Sequence, residues 1–269
     1  MFAPFEAQGV GLHSGEPCRA RVSPGPAGSG VLFATAEGEV PARVRSLSLR
    51  SQRATVLSCG RASVGTVEHL LAALAWFGEA DARVDVEGPE IPILDGSAAP
   101  WVERLAASGA RPGPRMVPLA RAVAVEEGPS RAFARPLDPK EPPQVRVLFF
   151  LDGPGAREES LVFAPLEDDF AALVAPARTF ATEEEARAIK SAGLARGGSL
   201  ANALVIGPNG PLNPEGARFE DEPVRHKMLD ALGDLFLLGG WPLARVTLTR
   251  PGHALNHALA RAIAQAQST

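Results

Sequence analysis

The sequence predicts an α+β protein of two similar halves, each a β-sheet layered with helices. Three observations carry that expectation. Short β-like runs come before and around two helical segments in the N-terminal part. The stretch "ARPGPRMVP", residues 110–118, then breaks the pattern with three prolines in nine residues. Beyond it strands and helices return in a similar mixture, as two packed α+β layers require. The division falls at 112/113. It gives an N-terminal α+β domain, 1–112, and a C-terminal α+β domain, 113–269, with no residue-level repeat at a fixed period.

In chain order, the β-like runs "RARVSP", "GVLFAT", "EVPARVRSL" and "RATVLS" are separated by Gly and Pro. "TVEHLLAALAWFG" has helical periodicity through Leu70, Leu71, Leu74 and Phe77, with Thr66 placed to cap its start and Gly78 to end it. "ARVDVEGPE" alternates as a strand, and "SAAPWVERLAASG" reads as a helix closed by Gly109. After the proline-rich segment come β-like "RAVAVEE", "QVRVLFFLDG" and "ESLVFAP", then a helical "TEEEARAIKSAGLARGG" and a strand "NALVIG". A helix over 222–239, with Pro223 in its first turn and Gly239 at its end, precedes the strand "ARVTLTR" and a closing helix "ALNHALARAIAQA".

Composition narrows the function classes. The 269 residues are 45% apolar and 22% charged, a globular balance. No apolar run is long enough to span a bilayer, and "MFAPFEAQGV" lacks the basic flank and apolar centre of a secretory signal, so a cytoplasmic protein is expected. A net charge of −4 with dispersed basic residues argues against nucleic acid. Cys18 and Cys59 sit in no ligand or nucleophile motif and are expected to be reduced. The absence of Tyr excludes phenol chemistry.

The helix 222–239 raises the chemical question. At 3.6 residues per turn, His226, Asp230 and Asp234 stack within about 80° of arc, while Val224, Met228, Leu229, Leu232, Leu235 and Phe236 cover the rest. Such a stripe is either solvated, or a satisfied His-Asp pair, or part of a metal site. "TVEHLL" supplies Glu68 next to His69. Their directions differ by about 100°, so one can ligate while the other addresses a bound water. His69, His226 and Asp230 together would make a three-ligand set with an open position, the catalytic zinc pattern, with Glu68 as general base. Two His and a carboxylate also suit non-haem iron. In "RPGHALNHAL", His253 falls in a turn between strand and helix, where an imidazolium held charged by Asp234 could stabilise an oxyanion or protonate a leaving amine. His257, one turn further, is expected at the surface; His13, in the glycine-bounded turn "GVGLHSGE", reads equally as structural or as a substrate contact and is left out of the expected site. Only three lysines, Lys140, Lys190 and Lys227, stand among 27 basic residues, and Lys227 follows His226 directly.

Several segments in order, "GVGLHSG", "GTVEHLLAAL", "EIPILDGSAAPWV", "ARTF", "GGSLANALV", "LNPEGARFEDEPVRHKMLDALGDLFLLG" and "GHALNHAL", resemble the zinc-dependent UDP-3-O-acyl-N-acetylglucosamine deacetylases of lipid A synthesis. They cover nearly the whole chain. The resemblance implies two similar domains, each a β-sheet layered with helices, with the active site between the helical layers. It implies His69, His226 and Asp230 as metal ligands for Zn2+, with Fe2+ able to occupy the same site, and Glu68 as base. It further implies His253 as electrostatic and acid partner supported by Asp234, Thr179 as oxyanion contact, and Lys227 and Phe180 as substrate contacts. An inserted helix-strand unit near 181–206 is expected to form an acyl passage walled by Ala186, Ile189, Ala195, Ala203 and Val205. The implied partner is a small-molecule UDP-sugar lipid precursor. A monomer without a transmembrane segment, in transient contact with a membrane surface, is the expected form.

Overall fold

In "PCRARVSP" the apolar residues fall on alternate positions, and in the fold Cys18, Ala20 and Val22 are buried while Arg21 points to solvent. The computed structural model describes residues 2–49, 53–153 and 156–267. Its first half runs β1 (Phe5–Val10), β2 (Pro17–Pro24), β3 (Val31–Thr35), β4 (Gly38–Pro41), β5 (Leu57–Cys59), β6 (Ala62–Val64), α1 (Glu68–Trp76), β7 (Ala82–Glu87) and α2 (Ala99–Ala107). Next come β8 (Met116–Pro118), β9 (Val123–Glu127), β10 (Ser130–Pro136), β11 (Gln144–Leu151), β12 (Arg157–Phe163), α3 (Phe170–Leu173) and β13 (Phe180–Thr182). The chain continues through α4 (Glu183–Ser191), β14 (Leu204–Gly207), β15 (Gly210–Pro211), α5 (Glu222–Leu235), β16 (Trp241–Thr249) and α6 (His253–Gln267). Among the described residues, no helix is long and apolar enough to cross a membrane.

The two large sheets share one topology. The first has the order β1-β2-β7-β3-β4, and the second the order β9-β10-β16-β11-β12 with β8 added beside β16. Setting aside β8, which leads the second half, each has four strands first (β1 to β4, β9 to β12), then an insertion, a helix, a central strand and a last helix. That central strand, β7 or β16, runs parallel to the third strand of its half and antiparallel to the second. The α+β class with two similar halves is therefore present, although the likeness lies in topology and not in residue spacing. The insertion of the first half is the β5-β6 hairpin. That of the second contains α3, α4 and the small sheet β13-β14-β15.

Every residue of α1 is buried, as expected for a helix apolar on all sides, and α1 packs against α5. The approach is close because Gly233 has no side chain, and a Cβ there would lie 2.2 Å from the carbonyl oxygen of Glu68. Trp241, fully buried at the start of β16, donates its indole N–H to the carbonyl of Leu232 at 2.9 Å and so fixes α5 to the second sheet.

Several expected elements change. The strand read over 39–47 stops at Pro41 and gives way to a 3-10 turn at Val44–Ser46, and that read over 53–58 begins only at Leu57. The helix read over 182–198 ends at Ser191, where Gly193 turns the chain with a φ of 76°. Thr66 does not cap α1. It has a φ of 56°, and its hydroxyl donates to Glu90 Oε2 at 2.7 Å. Strands β1 and β10 are absent from the sequence reading because alanine carries their inward faces in place of β-branched residues.

Candidate active site

Three helices bring the titratable residues together. Glu68 and His69 open α1, His226, Asp230 and Asp234 follow one another at single-turn intervals on α5, and His253 is the first residue of α6. The side chains of His69, His226 and Asp230 are each about 95% buried, which a solvated stripe would not be. His226 Nε2 lies 3.2 Å from Asp230 Oδ1, and His69 Nε2 lies 3.9 Å from the same oxygen. The two imidazole rings meet edge to face, 5.1 Å apart at 89°.

This cluster fits a cation by its own chemistry. His226 Nδ1 faces the carbonyl of Ala177 at 3.0 Å, so its proton belongs there and the Nε2 lone pair points to Asp230. Asp230 Oδ1 is then a buried carboxylate oxygen with no hydrogen-bond donor among the described residues. Burial, together with the nearby His226, lowers the pKa of His69 to about 3 and keeps it neutral, the form that can donate a lone pair. Burial opposes charge on Asp230, yet His226, Lys227 and His253 hold it well below the usual carboxylate range. The ligand atoms of all three residues lie within 4.8 Å of one another. A second trio, Asp234, His253 and His257, meets the same distance test but is satisfied without an ion. Asp234 Oδ2 accepts from His253 Nδ1 and from Asn256 Nδ2, both at 2.9 Å, and Oδ1 accepts from the Thr55 hydroxyl.

Beside the trio, Glu68 accepts the backbone N–H of Thr55 at Oε2 and faces His253 Nε2 from Oε1 at 3.7 Å. Burial pushes the Glu68 carboxyl up to about 8, with the Asp234 and Asp230 charges adding to it. Burial works the other way on His253, but the Asp234 and Asp230 carboxylates prevail and raise it to about 10. The pair therefore holds one hard-to-ionise acid and one strongly basic imidazole at the same place, an arrangement suited to moving protons in opposite directions.

These groups face a cavity of about 600 Å³. Its walls include Glu68, His69, His226, Lys227, Asp230, His253, Thr179 and Phe180, together with Ala186 and Ile189 from α4, Ala195, and Ala203 and Val205 at β14. The sequence-derived site residues thus converge, except that Asp234 stands behind His253, away from the cavity lining. Lys227 donates to Asp230 Oδ2 at 3.3 Å and stacks its ammonium 5.3 Å from the Phe180 ring centre.

One placement corrects the sequence reading, and a second bears on a residue that it left open. His257 is not at the surface. It is buried, with Nε2 2.8 Å from the Thr55 hydroxyl and 3.4 Å from Asp234 Oδ1, on the side of α6 that packs on α5. His13 lies on the cavity wall with both ring nitrogens buried and unbonded among the described residues. Sequence reading also passed over Thr55 and Asn256. The spacing 253, 256, 257 on a single helix was the available signal for Asn256, and Thr55 gave none.

The family model for UDP-3-O-acyl N-acetylglycosamine deacetylase matches residues 2–265. A UDP-3-O-acyl-N-acetylglucosamine deacetylase of Anaeromyxobacter sp. (strain Fw109-5) is 44% identical over 260 residues, covering 95% of this chain and 84% of the relative. Proteins of the same name from Thermosynechococcus vestitus and Myxococcus xanthus are 43% and 39% identical, over 96% and 95% of this chain and 90% and 82% of theirs. The matched span takes in both sheets and all three helices that build the buried cluster, and the chain belongs to the UDP-3-O-acyl N-acetylglycosamine deacetylase family.

Proposed function

We propose that the protein hydrolyses the 2-acetamido group of UDP-3-O-(3-hydroxyacyl)-N-acetylglucosamine, releasing acetate and a free amine, as a cytoplasmic step of lipid A biosynthesis. The observation that carries the reading is the donor-free Asp230 Oδ1, flanked by two neutral-capable imidazoles and set next to Glu68 and His253 at one cavity. His69 Nε2, His226 Nε2 and Asp230 Oδ1 would hold Zn2+, a role that the same donors could serve for Fe2+. Bound there, zinc supplies Lewis-acid polarisation of the acetyl carbonyl and lowers the pKa of a water to near neutrality.

The chain's own groups then divide the work. Glu68, whose ionised form the charge of a bound cation would favour, takes a proton at Oε1 from the attacking water as the water oxygen bonds to the acetyl carbon. The Thr179 hydroxyl and the charged His253 face the oxyanion that develops. His253 Nε2 gives its proton to the nitrogen as the C–N bond breaks, leaving a neutral amine and acetic acid; the acid's proton passes to the amine, so acetate and an ammonium leave, the proton held by Glu68 returns to His253, and Asp234 keeps the imidazole ring in position through Nδ1. Lys227 and Phe180 contact the polar part of the substrate. Ala186, Ile189, Ala195, Ala203 and Val205 wall the acyl chain, and the division at 112/113 separates the halves that bring Glu68 and His69 to His226, Asp230 and His253.

The test is acetate release from UDP-3-O-(3-hydroxyacyl)-N-acetylglucosamine over a range of acyl lengths, as isolated, after chelation, and after zinc is restored. Activity lost on chelation and regained with zinc supports the reading. No release at any acyl length, with one metal ion bound per chain, sinks it in favour of another amide.

A further inference from the structure

The base and the acid of this reaction sit on separate helices, Glu68 on α1 and His253 on α6, with Asp234 on α5 between them. One residue outside all three helices touches the whole group. Thr55 is fully buried. Its N–H donates to Glu68 Oε2 at 3.1 Å, and its carbonyl accepts the N–H of Val67, the residue before α1, at 3.4 Å. Its hydroxyl donates to Asp234 Oδ1 and lies 2.8 Å from His257 Nε2 and 3.3 Å from His253 Nδ1.

Counting protons fixes the directions of these bonds. A hydroxyl carries one proton, and here it goes to the carboxylate of Asp234. His257 Nε2–H then donates to the hydroxyl oxygen at 2.8 Å, with Asp234 Oδ1 a second acceptor at 3.4 Å. The other Asp234 oxygen is filled by His253 Nδ1–H and Asn256. His253 is left with Nε2 directed at Glu68 Oε1, 3.7 Å away. Backbone and side chain of Thr55 thus act on opposite members of the acid-base pair.

The geometry points to Thr55 as a positioning residue for the deacetylation. Its amide fixes one oxygen of Glu68, while its hydroxyl, oriented by His257, fixes Asp234 and through it His253. This inference rests on the deacetylase reading above. Thr55 touches none of His69, His226 or Asp230, so the role separates from metal binding.

Thr55→Val keeps the backbone contacts and the side-chain shape but removes the hydroxyl. Losing a hydrogen bond to a charged group predicts a fall of about tenfold to a hundredfold in kcat, with KM and metal content unchanged. Thr55→Ser, which restores the hydroxyl, is expected within about threefold of wild type. In a His253→Ala background, Thr55→Val should cost less than about threefold more, because residues that act through one another are not additive. In the metal-free protein, proton NMR should show a downfield imidazole N–H for His257 that Thr55→Ser leaves in place and Thr55→Val shifts, as Asp234 Oδ1 at 3.4 Å becomes its acceptor. Should Thr55→Val fail to fold, Thr55→Cys, a weak donor of similar size, replaces it.

A fully active Thr55→Val, or an equal loss in the wild-type and His253→Ala backgrounds, overturns the positioning role while leaving the deacetylase reading intact. A wild-type protein that releases no acetate overturns both, and the NMR comparison then reports only on the hydrogen bond itself.

Discussion

Gly233→Ala should reduce both stability and turnover, although Gly to Ala in a helix interior is ordinarily favourable by about 0.5–1 kcal/mol. The new Cβ would lie 2.2 Å from the carbonyl oxygen of Glu68, 2.8 Å from its carbonyl carbon and 3.1 Å from its Cα. All three are backbone atoms, so no side-chain rotation relieves the clash. Ordinary contact begins near 3.4 Å, and α5 must move from α1 by about 1 Å to reach it. Overpacking of this kind costs about 1–3 kcal/mol, which exceeds the propensity gain and leaves a net loss of about 1–2 kcal/mol. For a chain of this size the melting temperature should drop by about 2–8 °C. The same shift separates Glu68 and His69 from His226 and Asp230, and a displacement of about 1 Å in a catalytic arrangement can cost about a hundredfold in rate. Calorimetry and acetate release on the purified variant measure the two effects. A melting temperature and kcat/KM equal to wild type would refute the close packing of α1 on α5 as the frame of the site.

Other perturbations give distinct outcomes. His69→Ala and Asp230→Asn should each weaken metal binding by at least about tenfold, read as metal retained after dialysis, whereas Cys18→Ser should not. Ala203→Phe should lower kcat/KM for long acyl chains by at least about tenfold and leave short chains within about threefold, which a chain-length series decides. The metal-free protein should lose stability as pH rises above about 6.5. Glu68 has a carboxyl raised from 4.5 to about 8, so its ionisation costs stability progressively across that window. His253 is raised from 6.5 to about 10, so its contribution is full below 6.5 and lost as pH passes through about 10. His69, lowered from 6.5 to about 3, gains stability as pH rises to 6.5 and offsets Glu68 there. Thermal melts should therefore fall from about pH 6.5 to 10, with Glu68→Gln reducing the fall up to about pH 8 and His253→Gln the fall up to about pH 10. A melt that rises over about pH 6.5 to 10 in the metal-free protein would contradict both assignments.

The legible part of the site was the part written locally. His226, Asp230 and Asp234 share a helical stripe, and Glu68 and His69 are neighbours at a helix start, so periodicity alone placed them on named faces. The repeated order of strands and helices was visible too, because insertions and turns carry Gly and Pro signals. What escaped depends on contacts between distant residues. Thr55 meets Asp234 across 179 positions, and no pattern in "RATVLS" encodes that partner. His257 was already placed one turn beyond His253 yet read as surface, because the sequence does not announce that this face of α6 packs on α5 and meets Asp234. Thr66 had the composition of a cap, but the carboxylate of Glu90 claimed its hydroxyl, and the backbone took a left-handed conformation that sequence does not announce.

The central claim is that Glu68 moves the proton at a metal site formed by His69, His226 and Asp230. Its most direct test is to measure bound metal and acetate release on the same sample of Glu68→Gln. The account predicts metal content equal to wild type, because Glu68 is not a ligand, with kcat lower by at least about a hundredfold. Glu68→Gln with wild-type turnover, or one that loses its metal along with its activity, would contradict the assignment of Glu68 as the base.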